Sequence, residues 1–403
     1  MGSTEQSVQH RGNRFSGLDW IAVALLAAGL AAMVTGLLPV SQAQGTVRRL
    51  LPLLLFLATV VILAELTAKA EVFDVIAARV AIAGRGRYWR LFGLCVLFAA
   101  GTTAFLNLDT TAVLLTPVML ATAVRAGMSP LPLAMTTVWL ANTASLLLPV
   151  SNLTNLLAAD RVGLAPVAFA ARLVGPQLAS TAATMVCLWV LYWRRGRRGA
   201  ASYTPPARHR PRDPVLFRLA AVACLVFVGC VFANVQIEFA SAACAAAVLV
   251  AFAIRARAEL SPRLFPWRLL VFVVGLFLVI DTLSAHGLAG VAAAVAGTDP
   301  GPAGMFRAAG IGAGLSNLIN NLPAYATIEA VIPVANRNQL LALLVGTNVG
   351  PIVTPWASLA TLLWYERCRA AGVQISWRTF AATGLVTAVV VLAATTGVLV
   401  ATS

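Results

Sequence analysis

Charge is what this chain has least of. Asp, Glu, Lys and Arg make up only 11% of its 403 residues, against roughly 25% in an ordinary soluble domain, and Lys69 is its one lysine. No GxxxxGK[ST] loop is present, which excludes an ATP-driven motor on this chain. HExxH is missing too, and the only GxS-type string, Gly314-Leu315-Ser316, has no convincing histidine partner, so an intramembrane protease finds none of its parts. The cysteines at positions 95, 187, 224, 230, 244 and 368 form no CxxC and no pairing pattern. They read as small buried hydrophobes rather than a disulfide framework.

Apolar side chains are abundant: 60% of the chain is hydrophobic, more than one soluble core can hide. Uncharged runs such as Ile21 to Val40 and Ala381 to Val400 suit a lipid bilayer, where a span needs roughly 20 apolar residues. The first run is too long for a signal-peptide core and is expected to remain as a span. The net charge of +15 comes from arginines set between the apolar runs, densest at Arg194, Arg195, Arg197, Arg198, Arg208, Arg210 and Arg212. Only Tyr203 interleaves that cluster, so no stacking platform for nucleic acid exists and no nucleic-acid partner is expected. Arginine excess of this kind marks the cytoplasmic loops of membrane proteins.

Membrane-crossing segments are expected near 18–40, 49–69, 131–159, 164–193, 215–233, 236–254, 267–285, 338–364 and 376–401. Two further apolar regions, 91–124 and 302–334, are broken by Asn107-Leu108-Asp109-Thr110-Thr111 and by Ser316-Asn317-Leu318-Ile319-Asn320-Asn321-Leu322-Pro323. Backbone leaves the helix at membrane depth only where protein or a water-filled cavity covers it, so both regions read as re-entrant hairpins. With 91–124 returning to its own side, the basic stretches at 79–90, 194–212 and 255–268 all fall inside, and so does the N-terminus.

The segment from Ala141 to Leu156 recurs from Thr347 to Leu362, with Asn142 and Asn348 aligned at an offset of 206. The hairpin tips pair Asp109 with Asn321 at an offset of 212, and Glu65 pairs with Asp281 at 216. By parity the two halves run in opposite directions, an arrangement that serves alternating access in secondary transporters. The fold class expected is thus an all-α polytopic membrane protein with two inverted-topology repeats. It would hold about nine to eleven transmembrane helices, two re-entrant hairpins and two broken helices. The domains expected are a cytoplasmic tail (1–17), a first repeat (18–193), a basic cytoplasmic loop (194–214), a connecting helix (215–235) and a second repeat (236–401).

Polar residues inside spans are costly in lipid and mark function. The candidates for substrate binding are Asn107, Thr110 and Thr111 at the first tip, and Asn142, Thr143, Ser145, Ser151, Asn152, Thr154 and Asn155 in the first broken span. The second repeat supplies Asn317, Asn320 and Asn321 at its tip, and Thr347, Asn348, Thr354, Ser358 and Thr361 in its broken span. Pro149, Pro323, Gly350, Pro351 and Pro355 are the expected helix breakers. Interrupted helices offer free N–H groups and carbonyls, and with side-chain amides and hydroxyls they suit a small oxygen-rich solute. Asp109 is the one acid at a tip. It is the candidate for ion coupling, since a buried carboxylate beside a water pathway can trade a proton near neutrality. No metal ligand set and no cofactor are expected.

Ser151-Asn152-Leu153-Thr154-Asn155, Asn320-Asn321-Leu322-Pro323 and the long string from Gly350 to Trp364 resemble the arsenite efflux permeases (ArsB) of the ion transporter superfamily, alongside the divalent anion and citrate carriers. Ile375-Ser376-Trp377 adds to the likeness, which covers about residues 50 to 400. The resemblance implies a plasma-membrane carrier that expels arsenite, often antimonite, in exchange for protons, with hairpins and broken spans around a midplane site. It also implies a cytoplasmic ATPase as a possible docking partner. Asn142 and Asn348 stand where members of the family can carry Asp, and Leu108 where an Asn would be expected. The runner-up is a sodium- or proton-coupled carrier of dicarboxylates, citrate or another inorganic anion, though no Arg or Lys occurs in the four clusters.

Overall fold

The computed structural model describes residues 17–194 and 202–403; the tail and the densest arginines of the basic loop lie outside them. Within them the chain forms sixteen helices and no strand. In order these are α1 (Gly17–Val34), α2 (Val40–Lys69), α3 (Val72–Ala83), α4 (Tyr88–Leu106), α5 (Leu108–Arg125), α6 (Leu131–Thr143), α7 (Leu153–Val162), α8 (Pro166–Trp193) and α9 (Pro214–Phe232). There follow α10 (Ile237–Arg255), α11 (Trp267–Ala296), α12 (Pro302–Ile319), α13 (Asn321–Glu329), α14 (Arg337–Val349), α15 (Leu359–Ala370) and α16 (Trp377–Ala401). Eight of them, α2, α4, α5, α8, α9, α10, α11 and α16, are long and apolar enough to cross a membrane. The runs that form them carry few charges because charge is costly to place in hydrocarbon. Pro166, Pro214 and Pro302 each open a helix, where no N–H is lost, whereas Pro52 and Pro176 lie inside α2 and α8.

The packing repeats along the chain. Helix α1 packs on α11, and α10 packs on α2, so the first helix of each half embraces the second helix of the other. Helices α4 and α6 pair in one half, as α12 and α14 do in the other, and α8 meets α16 across the middle. Helix α9 stands between the halves and turns Leu219, Val222, Leu225 and Val226 outward, an apolar ridge suited to lipid. Its start is set by Asp213, whose carboxylate accepts from Val215 N at 2.9 Å and Leu216 N at 3.2 Å. The hydrogen bond from Arg255 holds that carboxyl below the usual range.

Both hairpins close on themselves. Tyr203 meets the start of α4 edge-on, its ring 5.6 Å from that of Tyr88, and its neighbour Thr204 donates to Ala126 O, just beyond α5, at 3.2 Å. The two ends of the α4–α5 hairpin therefore share one face of the molecule. At the second hairpin, Asn336 beyond α13 donates to Thr298 O at 3.0 Å just before α12. The inversion of the halves is legible along α2. Asp281 hydrogen-bonds Thr46 near the start of that helix, whereas Glu65 lies near its end. Nineteen residues of helix put about 28 Å between them, close to the thickness of a bilayer core.

Helices α12 and α14 approach closely because Gly346 faces backbone: a Cβ there would lie 2.1 Å from Ala309 O. Backbone cannot yield as a side chain can, so Gly346→Val should force the pair apart. We expect a loss of about 2 kcal/mol or more, read as a fall in the thermal midpoint of the purified protein and in its yield.

Candidate functional site

Four helix N-termini converge where the halves cross, and each is closed by its own side chain. Asn107 Oδ1 accepts from Thr110 N at 2.8 Å at the start of α5, and Asn152 Oδ1 from Thr154 N at 3.3 Å at α7. Asn320 Oδ1 accepts from Leu322 N at 3.3 Å at α13, and Ser358 Oγ from Thr361 N at 3.1 Å at α15. Such caps leave the partial positive charge of each helix end pointing into the same region. The tips turn through one residue each, Asn107 at φ 105° and Asn320 at φ 100°, a conformation asparagine tolerates better than most residues. This corrects the register expected from sequence. The tips align through Asn107 and Asn320, 213 positions apart, so Asn321 matches Leu108 and not Asp109. Pro323 is likewise no breaker: it sits in the first turn of α13, where its missing N–H costs nothing, and the interruption is Asn320.

The broken spans interlock. Asn348 of α14 accepts from Asn152 Nδ2 and from Thr154 Oγ1, both at 2.9 Å, and donates to Asn155 Oδ1 at 2.8 Å. Asn155 in turn donates to Ser145 O at 2.5 Å and Leu148 O at 2.9 Å, stitching the two ends of the first break together. The equivalent contact from the other half is a single one, Asn142 Nδ2 to Thr361 Oγ1 at 3.3 Å. Asn142 Oδ1 is buried with no hydrogen-bond partner, because Thr154 has its counterpart in Ala360, which carries no hydroxyl. Pro149 and Pro351 lie within the 3₁₀ turns of the two breaks, with Gly350 beside Pro351 and Pro355 a few residues on.

The hairpins fasten to these breaks. Ser151 Oγ donates to Ala104 O at 2.8 Å, and Asn321 N donates to Ala357 O at the same distance. Asn317 binds the second break at several points: Gly350 O at 2.9 Å, Thr354 N at 2.9 Å and Thr354 Oγ1 at 2.8 Å. Thr111 Oγ1 donates to Asn107 O at 3.1 Å, Ser145 Oγ to Asn142 O at 2.6 Å, and Thr347 Oγ1 to Leu344 O at 3.1 Å, each within its own segment. Asp109 differs from all of these. It is half-buried on the first turn of α5, a stretch that packs against α15, and its carboxylate has no hydrogen bond or ion pair among the described residues.

Sequence reading missed the residues behind Thr143. Gln177, Ser180 and Thr184 of α8 form a polar stripe against it. Gln177 Oε1 accepts from Leu146 N at 2.8 Å, Ser180 Oγ donates to Thr143 O at 2.6 Å, and Thr184 Oγ1 to Thr143 Oγ1 at 2.9 Å. Their spacing of three and four residues along an otherwise apolar helix was the available signal. Two cavities, of about 310 and 410 Å³, lie elsewhere: one beside Ile62 and Leu249, the other between α1 and α11, both with largely apolar walls.

The citrate transporter family model matches residues 15–361. The arsenical pump membrane protein of Escherichia coli K12 is 31% identical over 361 residues, covering 83% of this chain and 82% of that protein. A protein of the same description from Yersinia enterocolitica is also 31% identical, over 358 residues with the same coverage. Among solved structures, the YdaH transporter of Alcanivorax borkumensis superposes with a TM-score of 0.55 at 15% identity, covering 95% of this chain and 97% of that one.

Proposed function

The chain belongs to the citrate transporter family and to that of the arsenical pump membrane proteins, and from this membrane-transporter premise we propose that it exports arsenite, with antimonite as a congener, in exchange for protons. The observation that carries this reading is the meeting of four capped helix N-termini beside an unpaired Asp109, with no Arg or Lys among them. A neutral trihydroxide such as As(OH)3 both donates and accepts hydrogen bonds, as the amides and hydroxyls there do. The substrate would lie between the hairpin tips and the broken spans, contacting Asn107, Asn320, Asn321 and Thr354 first. Asp109 would bind the counter-ion. The arginine excess of the face that carries Arg79, Arg90 and Arg255 supports a cytoplasmic position for it, and with it an N-terminus inside.

Positive helix ends also favour anions, so a dicarboxylate or citrate is the second reading. Everted membrane vesicles separate the two. An acid-inside gradient should drive arsenite uptake, and a protonophore should collapse it. Uptake of citrate or succinate driven by a sodium gradient, with none of arsenite, would transfer the assignment to the second reading. On the first reading, Asn321→Ala should raise the apparent KM for arsenite roughly tenfold at unchanged protein yield; an unchanged KM would leave that tip without a substrate contact.

A further inference from the structure

A second carboxylate, remote from the tips, is built to respond to protons. Glu329 closes α13 at the face opposite the basic one and is only 3% exposed. Its Oε1 lies 3.5 Å from Arg49 Nη2 of α2, and its Oε2 has no hydrogen-bond partner. Arg49 also reaches Asp160 of α7, Nε to Oδ2 at 3.4 Å. The next residue, Arg161, donates to Glu329 O at 3.4 Å and to Ile332 O at 3.3 Å. One arginine of α2 thus ties down both α7 and α13. The groups that face Glu329 are Arg49 from α2, Asp160 and Arg161 from α7, and Tyr325 one turn back on α13, whose buried hydroxyl is directed at the carboxyl; Asp281 of α11 stands behind Arg49. Helices α12 and α14 bring no charged side chain to it among the described residues.

The internal repeat supplies the comparison. Asp160-Arg161 recurs as Glu366-Arg367 on α15, at the same offset of 206 as the broken spans. That pair lies at the basic face, within electrostatic reach of Glu65 at the far end of α2. Glu366 and Arg367 are exposed and form no ion pair among the described residues. The same dipeptide is therefore latched to one end of α2 and free at the other.

Resting on the transporter reading, we propose that Glu329 is a second ion-coupling carboxylate: taking up a proton from its own face at Oε2, it lets go of Arg49, which stays on Asp160, and frees α13 from α2, while Arg367 engages Glu65 opposite. The test reads distance and needs no solute, so it stands apart from the identity of the substrate. Spin labels at Val47 on α2 and Val334 beyond α13, both exposed, are measured by pulsed dipolar spectroscopy on the full-length protein in lipid nanodiscs. Going from about pH 8 to about pH 5.5, the ratio of the longer to the shorter distance should rise roughly tenfold. In Glu329→Gln the longer distance should dominate at both pH values, and in Glu329→Asp the pH response should persist. A wild-type distance that ignores pH, or a Gln variant that keeps the wild-type response, overturns the proposal.

Discussion

Asn348→Ala is expected to be the most destabilising single substitution in the centre of the protein. It leaves Asn152 Nδ2, Thr154 Oγ1 and Asn155 Oδ1 without their cross-repeat partner, all in buried positions. Each orphaned group costs about 1–3 kcal/mol, and the three belong to one network, so the total should reach about 3 kcal/mol or more. The matching change in the other half, Asn142→Ala, removes one long contact across the halves, a bond to Val138 O within its own helix that leaves no orphaned donor, and an acceptor already unpaired. It should cost less than half as much. Thermal unfolding of the two purified variants side by side decides the matter. Equal midpoints would mean that the network on Asn348 does not hold the halves together.

Asp109→Asn should abolish gradient-driven transport, a fall of roughly a hundredfold or more in initial rate, while the protein stays inserted and folded. The substitution is nearly isosteric, and the carboxylate makes no contact whose loss could unfold the tip. Exchange of labelled for unlabelled solute, which needs no net ion movement, should survive. Vesicles carrying the variant would then show counterflow without accumulation. Accumulation at the wild-type rate under a proton gradient would remove Asp109 from the mechanism.

The broken spans were the most legible part of the sequence. Prolines, glycines and amides gathered at one point of an apolar run mark a break in the helix, and the offset of 206 repeats over a stretch long enough to align. The hairpins were legible as hairpins, but their register was not. With Leu108 where an asparagine would mark the match, the one acid drew the alignment a residue off; only the positive φ of Asn107 and Asn320 restores it. Glu329 escaped notice for a different reason. It follows an apolar helix and precedes a loop, as a solvated acid would, and nothing local says that Arg49, 280 residues earlier, encloses it. Gln177 and its neighbours carry no local mark of their role, since the partner they serve is a backbone break in another helix.

The exchange of helices between the halves has a consequence for how the protein is made. Helix α1 finds its partner in α11, and α2 finds its own in α10, so neither can be completed until more than half of the chain has entered the bilayer. During that interval the amides of the first break await Asn348, which is synthesised later still. The decisive step of assembly must therefore wait until the second half is in the bilayer and closes over the early helices. A chain that stops between the halves leaves a fragment whose first break lacks the amide that pairs with Asn152, Thr154 and Asn155.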